Sequence, residues 1–123
     1  VGESFRDLRV WQRAVDLSVA VYDLTDRFPR KEVFGISNQL RRASVSVSSN
    51  IAEGYGRGTT RDYVHFLSIA RGSNSEVQTQ LVIARRLHFG VEQDLDKAEA
   101  LSHEVGKMLN ALMKSLRGAE KRG

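Results

Sequence analysis

Residues Gln39 to Thr60 read QLRRASVSVSSNIAEGYGRGTT, and the fold is decided by this stretch. At helical spacing Ile36, Leu40, Ala43, Val47 and Ile51 make one apolar stripe. Ser44, Ser46, Ser48, Ser49 and Ala52 are small, so whatever packs beside them can come very close. Arg42, Asn50 and Glu53 set polar groups into the same packing surface. A lone solvent-facing helix has no use for this mixture. It suits the central helix of a bundle that also touches other chains.

Working outward, the central helix is expected over residues 33–55, after the single proline, Pro29, has ended a first helix over residues 8–27. Asp7 is the expected N-cap of that first helix. Its core stripe is Val10, Ala14, Leu17, Val21, Leu24 and Phe28. Trp11, Val15, Ser18 and Tyr22 widen the apolar face, as core filling or as part of a subunit interface. Gly54, Gly56 and Gly58 form a turn. No strand precedes it and no Gly-Lys-Ser/Thr ending follows, so it reads as helix termination and not as a phosphate cradle. Thr59 with Asp62 has capping-box spacing and opens a third helix, expected over residues 60–89 with Gly90 as its C-cap. A fourth helix is expected over residues 93–117, with the seam Ala98, Leu101, Val105, Met108, Leu112 and Leu116. Short connections between such helices imply one all-α domain over residues 1–123, an antiparallel up-down-up-down four-helix bundle.

The composition, 41% hydrophobic and 28% charged, is that of a globular chain and argues against disorder. The absence of cysteine excludes disulfides, thiolate metal sites and a thiol nucleophile. No stretch resembles a signal peptide or a membrane span, so a cytoplasmic location without membrane association is expected. Of the formal net charge of +4, the segment from Lys114 onward carries +3 through Lys114, Arg117, Lys121 and Arg122 against Glu120. The rest of the chain is close to neutral.

His65, His88 and His103 are scattered, and no His-x-x-x-His or Glu-x-x-His pair exists, so neither metal nor cofactor is expected. The serines of the central helix have no histidine or lysine beside them in sequence to activate a nucleophile, and no catalytic residue is assigned. A carboxylate buried between helices needs a cationic partner, and Arg42 and Arg71 are the candidates for Glu53 and Glu76. Arg42, Asn50, Glu53, Arg71, Glu76 and Gln80 are therefore expected to form a polar network that fixes helix register or subunit contact. If Arg42 neutralises a buried carboxylate, its removal costs about 3–5 kcal/mol.

Several segments carry a family resemblance. They are Leu8-Arg9-Val10-Trp11-Gln12, Phe28-Pro29, Gln39-Leu40-Arg41-Arg42-Ala43, Ser49-Asn50-Ile51-Ala52-Glu53-Gly54, Phe66-Leu67 and Ile69-Ala70-Arg71-Gly72-Ser73. Together they resemble the bacterial four-helix-bundle family named after proteins encoded in intervening sequences of 23S ribosomal RNA. Asn74 departs from the family pattern, which commonly has an apolar residue there. The resemblance implies a ring-like or cone-shaped homopentamer. It also implies distant kinship with the accessory protein of diversity-generating retroelements, which binds a reverse transcriptase and nucleic acid. The family name reflects gene location and supplies no mechanism.

Two functions follow as expectations. One is a non-enzymatic homo-oligomer that binds RNA or DNA, with Arg57, Arg61, Lys114, Arg117, Lys121 and Arg122 as candidate contacts. The other is a scaffold or accessory subunit whose partner is another protein. The surface that stays basic after assembly distinguishes them.

Overall fold

The computed structural model describes residues 4–122, with side-chain surroundings for residues 4–120. Four helices follow one another: α1 Arg9–Thr25, α2 Ile36–Tyr55, α3 Thr60–Arg86 and α4 Glu92–Arg122. Each packs on the next, and α1 closes the bundle against α4. Across α2 and α3, Gln39 meets Gln80 and Ser46 meets Ser73, so residue numbers fall on one helix as they rise on the other. Arg85 with Asp96 and Arg71 with Asn110 show the same antiparallel relation between α3 and α4.

The expected stripes form the core. Val10, Ala14, Leu17, Val21, Leu24 and Phe28 are buried on α1 and just beyond it, as are Leu40, Ala43, Val47 and Ile51 on α2. The core has two apolar parts. One contains Leu24, Leu40, Leu81 and Leu95, and the other Val10, Ile51, Leu67 and Met113. Between them, Ser44 interrupts α2, Asn74 interrupts α3 and Ser102 interrupts α4, all three buried. A polar layer thus crosses the middle of the bundle.

Helix ends differ from expectation for local reasons. Asp7 does not cap α1. It belongs to a 3-10 turn, Phe5–Asp7, which Ser4 caps, and Leu8 occupies the cap position of α1 without a side-chain bond. The Phe5 ring of that turn packs edge-on against Trp11, with ring centroids 5.2 Å apart. α2 starts at Ile36, because a 3-10 turn at Arg30–Glu32 follows Pro29 and Gly35 is not helical. Thr59 does cap α3, accepting from the Asp62 amide.

The end of α3 also moves. The Phe89 amide donates to Ala84 O and the His88 amide to Arg85 O, the two bonds of a Schellman motif. His88, at φ 58, takes the left-handed position usually given to glycine. Gly90, two residues on, is also left-handed at φ 79 and serves close packing as well: a Cβ there would stand 2.7 Å from Leu24 Cδ1. On α4 the buried seam runs Leu101, Val105, Leu109 and Met113, while Met108, Leu112 and Leu116 are half-buried at its edge.

The small residues of α2 do admit a close neighbour. A Cβ on Gly54 would stand 2.7 Å from Phe66 Cβ of α3. Further along, the Ser46 and Ser73 hydroxyls lie 2.9 Å apart.

Candidate functional site

The expected polar network is not one buried cluster. Arg42, Glu53, Arg71 and Glu76 are exposed, so no buried carboxylate calls for an arginine. Glu53 pairs with Arg57 one turn away at 3.5 Å, both about half exposed. Arg71 turns to α4 and donates to Asn110 at 3.2 Å. Asn50 donates to Ser46 O and Oγ, at 2.8 and 3.0 Å. Arg42 and Glu76 make no hydrogen bond or ion pair among the described residues. The expected cost of removing Arg42 therefore falls to the surface range, about ±0.5 kcal/mol for the protomer.

What the fold does bring together is a groove of about 420 Å³ between α2 and α3. Asn38, Gln39, Arg42 and Ser46 line one wall, and Ser73, Glu76 and Gln80 the other. Gln80 Nε2 donates to Gln39 Oε1 at 3.4 Å, while Gln80 Oε1 is buried and accepts no hydrogen bond. Most of these groups are neutral, and the two charges, one of each sign, sit on opposite walls.

The buried polar contact lies elsewhere. Asn74 Nδ2 donates to Ser102 O and Ser102 Oγ donates to Asn74 Oδ1. The departure from the family pattern at Asn74 was legible, but nothing in the spacing of α4 singled out Ser102 as its partner.

The opposite face, between α1 and α4, is closed by ions. Arg13 donates to both Glu104 oxygens, at 3.0 and 2.8 Å, and to Asp16 at 2.8 Å. The bond from Arg13 holds the Glu104 carboxyl below the usual carboxylate range, and Glu104 in turn raises the Arg13 guanidinium. At the start of α4, Arg85 bonds Asp96 at 2.8 Å and lies 3.7 Å from Glu99 and 3.8 Å from Glu92. Of these, Glu92 lies in the first turn of α4 and so meets both the positive helix end and a cation.

The basic candidates converge in part. The α2–α3 turn, the start of α1 and the last turns of α4 share one end of the bundle, where Leu8, Tyr63 and Leu116 pack on a common cluster. Arg57, Arg61, Lys114 and Arg117 are exposed there. Arg57 also lies over the Phe66 ring, 5.0 Å from its centroid, so it already has structural neighbours. Lys121 and Arg122 belong to the last turn of α4, and their side chains lie outside the described residues.

Arg6 and Arg9 join this end, exposed, and were not anticipated as contacts. The up-down topology was the available signal, since it sets the start of α1 beside the end of α4. Six basic residues (Arg6, Arg9, Arg57, Arg61, Lys114 and Arg117) thus face four acidic ones, Asp7, Glu53, Asp62 and Glu120. Nearby, burial pushes the Tyr63 phenol up, with Tyr55 adding to the effect, and its hydroxyl makes no hydrogen bond.

Among the described residues, no three His, Asp or Glu side chains converge as metal ligands, and no helix is long and apolar enough to cross a membrane.

Comparison with known proteins agrees with this architecture. A crystal structure from Bacteroides thetaiotaomicron VPI-5482, described as a protein of unknown function from the S23 ribosomal protein family, superposes with a TM-score of 0.78. It is 22% identical, and the match covers 85% of this chain and 98% of that one. No curated protein sequence matches the chain. The family model described as 23S rRNA-intervening sequence protein matches residues 6–111. With nearly the whole bundle inside that match, the chain belongs to the 23S rRNA-intervening sequence protein family.

Proposed function

We propose that this protein is a non-enzymatic homo-oligomer, a pentamer, that binds RNA or DNA in the cytoplasm through phosphate contacts at the basic end of the bundle. The observation that carries the reading is the convergence of Arg6, Arg9, Arg57, Arg61, Lys114 and Arg117 from separate segments onto that end. One protomer holds a net charge of +4, and five would hold about +20, enough to concentrate a polyanion at a shared face. Binding of this kind reads the backbone more than the sequence and weakens steeply with salt. The perturbed titrations support a non-catalytic reading, because Arg13, Arg85 and Glu104 belong to interhelical ion pairs and Tyr63 to the core.

The test reverses charge at each end. Arg61→Glu with Lys114→Glu is expected to weaken RNA binding and to lower the salt slope by about one for each phosphate no longer neutralised. Arg27→Glu with Lys31→Glu, at the other end, is expected to change little. Equal losses in both variants would overturn the assignment to the basic end.

A second reading, a scaffold for another protein without nucleic acid, draws on apolar side chains left in solvent. Val19 is 57% exposed and Val82 47%. It becomes the better account if the oligomer binds no RNA at low salt.

A further inference from the structure

We propose that copies of this chain join head to tail, with the α2 wall of one copy's groove against the α3 wall of the next. Arg42 then pairs with Glu76 of the next copy, and Phe34 covers Ile83 and Leu87 of the next copy. The inference rests on the homo-oligomer reading above and names the surface through which it is built.

Gln39 contacts Gln80 and Ser46 contacts Ser73, so these pairs mark two common heights along α2 and α3. Arg42 lies between Gln39 and Ser46 as Glu76 lies between Ser73 and Gln80. The two charges are therefore level to within about one helical rise, ~1.5 Å. Phe34 lies just before the start of α2, and Leu87 just after the end of α3. In an antiparallel pair those ends coincide, so Phe34 is level with Ile83 and Leu87. On α3, Glu76, Gln80, Ile83 and Leu87 follow one another on a single face.

Rotation about an axis parallel to the bundle keeps every height unchanged. Whatever stands on the α2 wall of one copy then meets what stands at the same height on the α3 wall of the next. Here a cation meets an anion, and an aromatic ring meets two aliphatic side chains. Such a heterologous contact closes into a ring when the rotation allows it.

The protomer has no internal use for this alignment. Arg42 and Glu76 face one groove without pairing, and Phe34 is 92% exposed, the most exposed large apolar side chain among the described residues. Ile83 and Leu87 are 43% and 53% exposed. The groups between the charges are neutral amides and hydroxyls, and Gln80 Oε1 has no donor within the protomer. An aromatic anchor beside charge-poor walls is the composition of an interface core. On the α1–α4 face, by contrast, Arg13 already satisfies Asp16 and Glu104.

The experiment is a charge swap read by native mass and by the dissociation constant of the assembly. Wild type is expected to be oligomeric. Arg42→Glu and Glu76→Arg each place like charges at the contact and should raise the dissociation constant roughly tenfold or more. Arg42→Glu combined with Glu76→Arg restores opposite charges and should recover assembly. Phe34→Ser should weaken assembly while leaving the protomer's helicity and melting unchanged, since the ring touches solvent in the single copy.

Single variants that assemble like wild type would overturn the interface while leaving the oligomer reading intact. Single variants that dissociate without rescue in the double variant would overturn the Arg42–Glu76 pairing. A wild-type protein with the mass of one protomer would overturn the oligomer reading itself.

Discussion

Asn74 and Ser102 exchange two hydrogen bonds across the α3–α4 contact, Ser102 Oγ to Asn74 Oδ1 at 2.8 Å and Asn74 Nδ2 to Ser102 O at 3.0 Å. Both residues are buried between the two apolar halves of the core. A slip of either helix by one residue would strand these groups without partners, so the pair fixes the register of α3 on α4.

Asn74→Ala should accordingly destabilise the protein by about 1–3 kcal/mol, because the Ser102 hydroxyl loses its acceptor in a dry site. In a double-mutant cycle, adding Ser102→Ala should cost much less than it does alone. Denaturant unfolding of the four proteins checks this. Additive losses would mean that the two residues act independently.

Gly54 should not tolerate a methyl group. Helix propensity alone favours Ala over Gly by roughly 1 kcal/mol. At this position the new Cβ would stand 2.7 Å from Phe66 Cβ and 3.2 Å from the Tyr63 ring. Overpacking of this kind costs about 1–3 kcal/mol. Gly54→Ala should therefore lower the melting temperature, and a rise would show that α2 and α3 are free to separate.

His88 presents the opposite case. Its backbone lies at φ 58, a region where a Cβ is strained, and the side chain is exposed. His88→Gly should stabilise the end of α3 by about 0.5–1 kcal/mol, to be read from the urea midpoint. A loss of stability would mean that the imidazole makes a contact worth more than the strain.

The Arg13–Glu104 pair sets a pH dependence. The Glu104 carboxyl lies below its usual range in the folded state, chiefly through its bond from Arg13. A group depressed on folding contributes stability above its unfolded pKa, and that contribution is lost as pH falls through the folded value. The stability difference between wild type and Glu104→Gln should thus be largest near neutral pH. It should shrink as pH drops through and below roughly 4. A difference that does not vary with pH would assign the effect to packing.

These particular residues show what a sequence can disclose of such a fold. The stripes of α1 and α2 and the Thr59 cap were legible, because period and cap chemistry are local. The end of α3 was not, since His88 accepts a backbone position that residue preference assigns to Gly90. The α4 seam moved to Leu109 and Met113 because the neighbouring helices, and not α4 alone, decide which edge of its apolar face turns inward. Whether Arg42 and Glu76 were buried or exposed depended on how α2 and α3 face each other, which spacing along one helix leaves open. The basic end was half legible. Its residues were visible as charges, but only the up-down topology joins Arg6 and Arg9 to Lys114 and Arg117.

Assembly of the bundle and nucleic-acid binding through its basic end are tested most directly by one measurement. It is an RNA titration of the mass-verified oligomer at two salt concentrations, with and without the residues after Leu116. Binding should weaken as salt rises, with a slope that counts phosphate contacts and falls when the basic residues are removed. No binding at low salt would contradict nucleic-acid recognition and leave a protein-partner scaffold in its place.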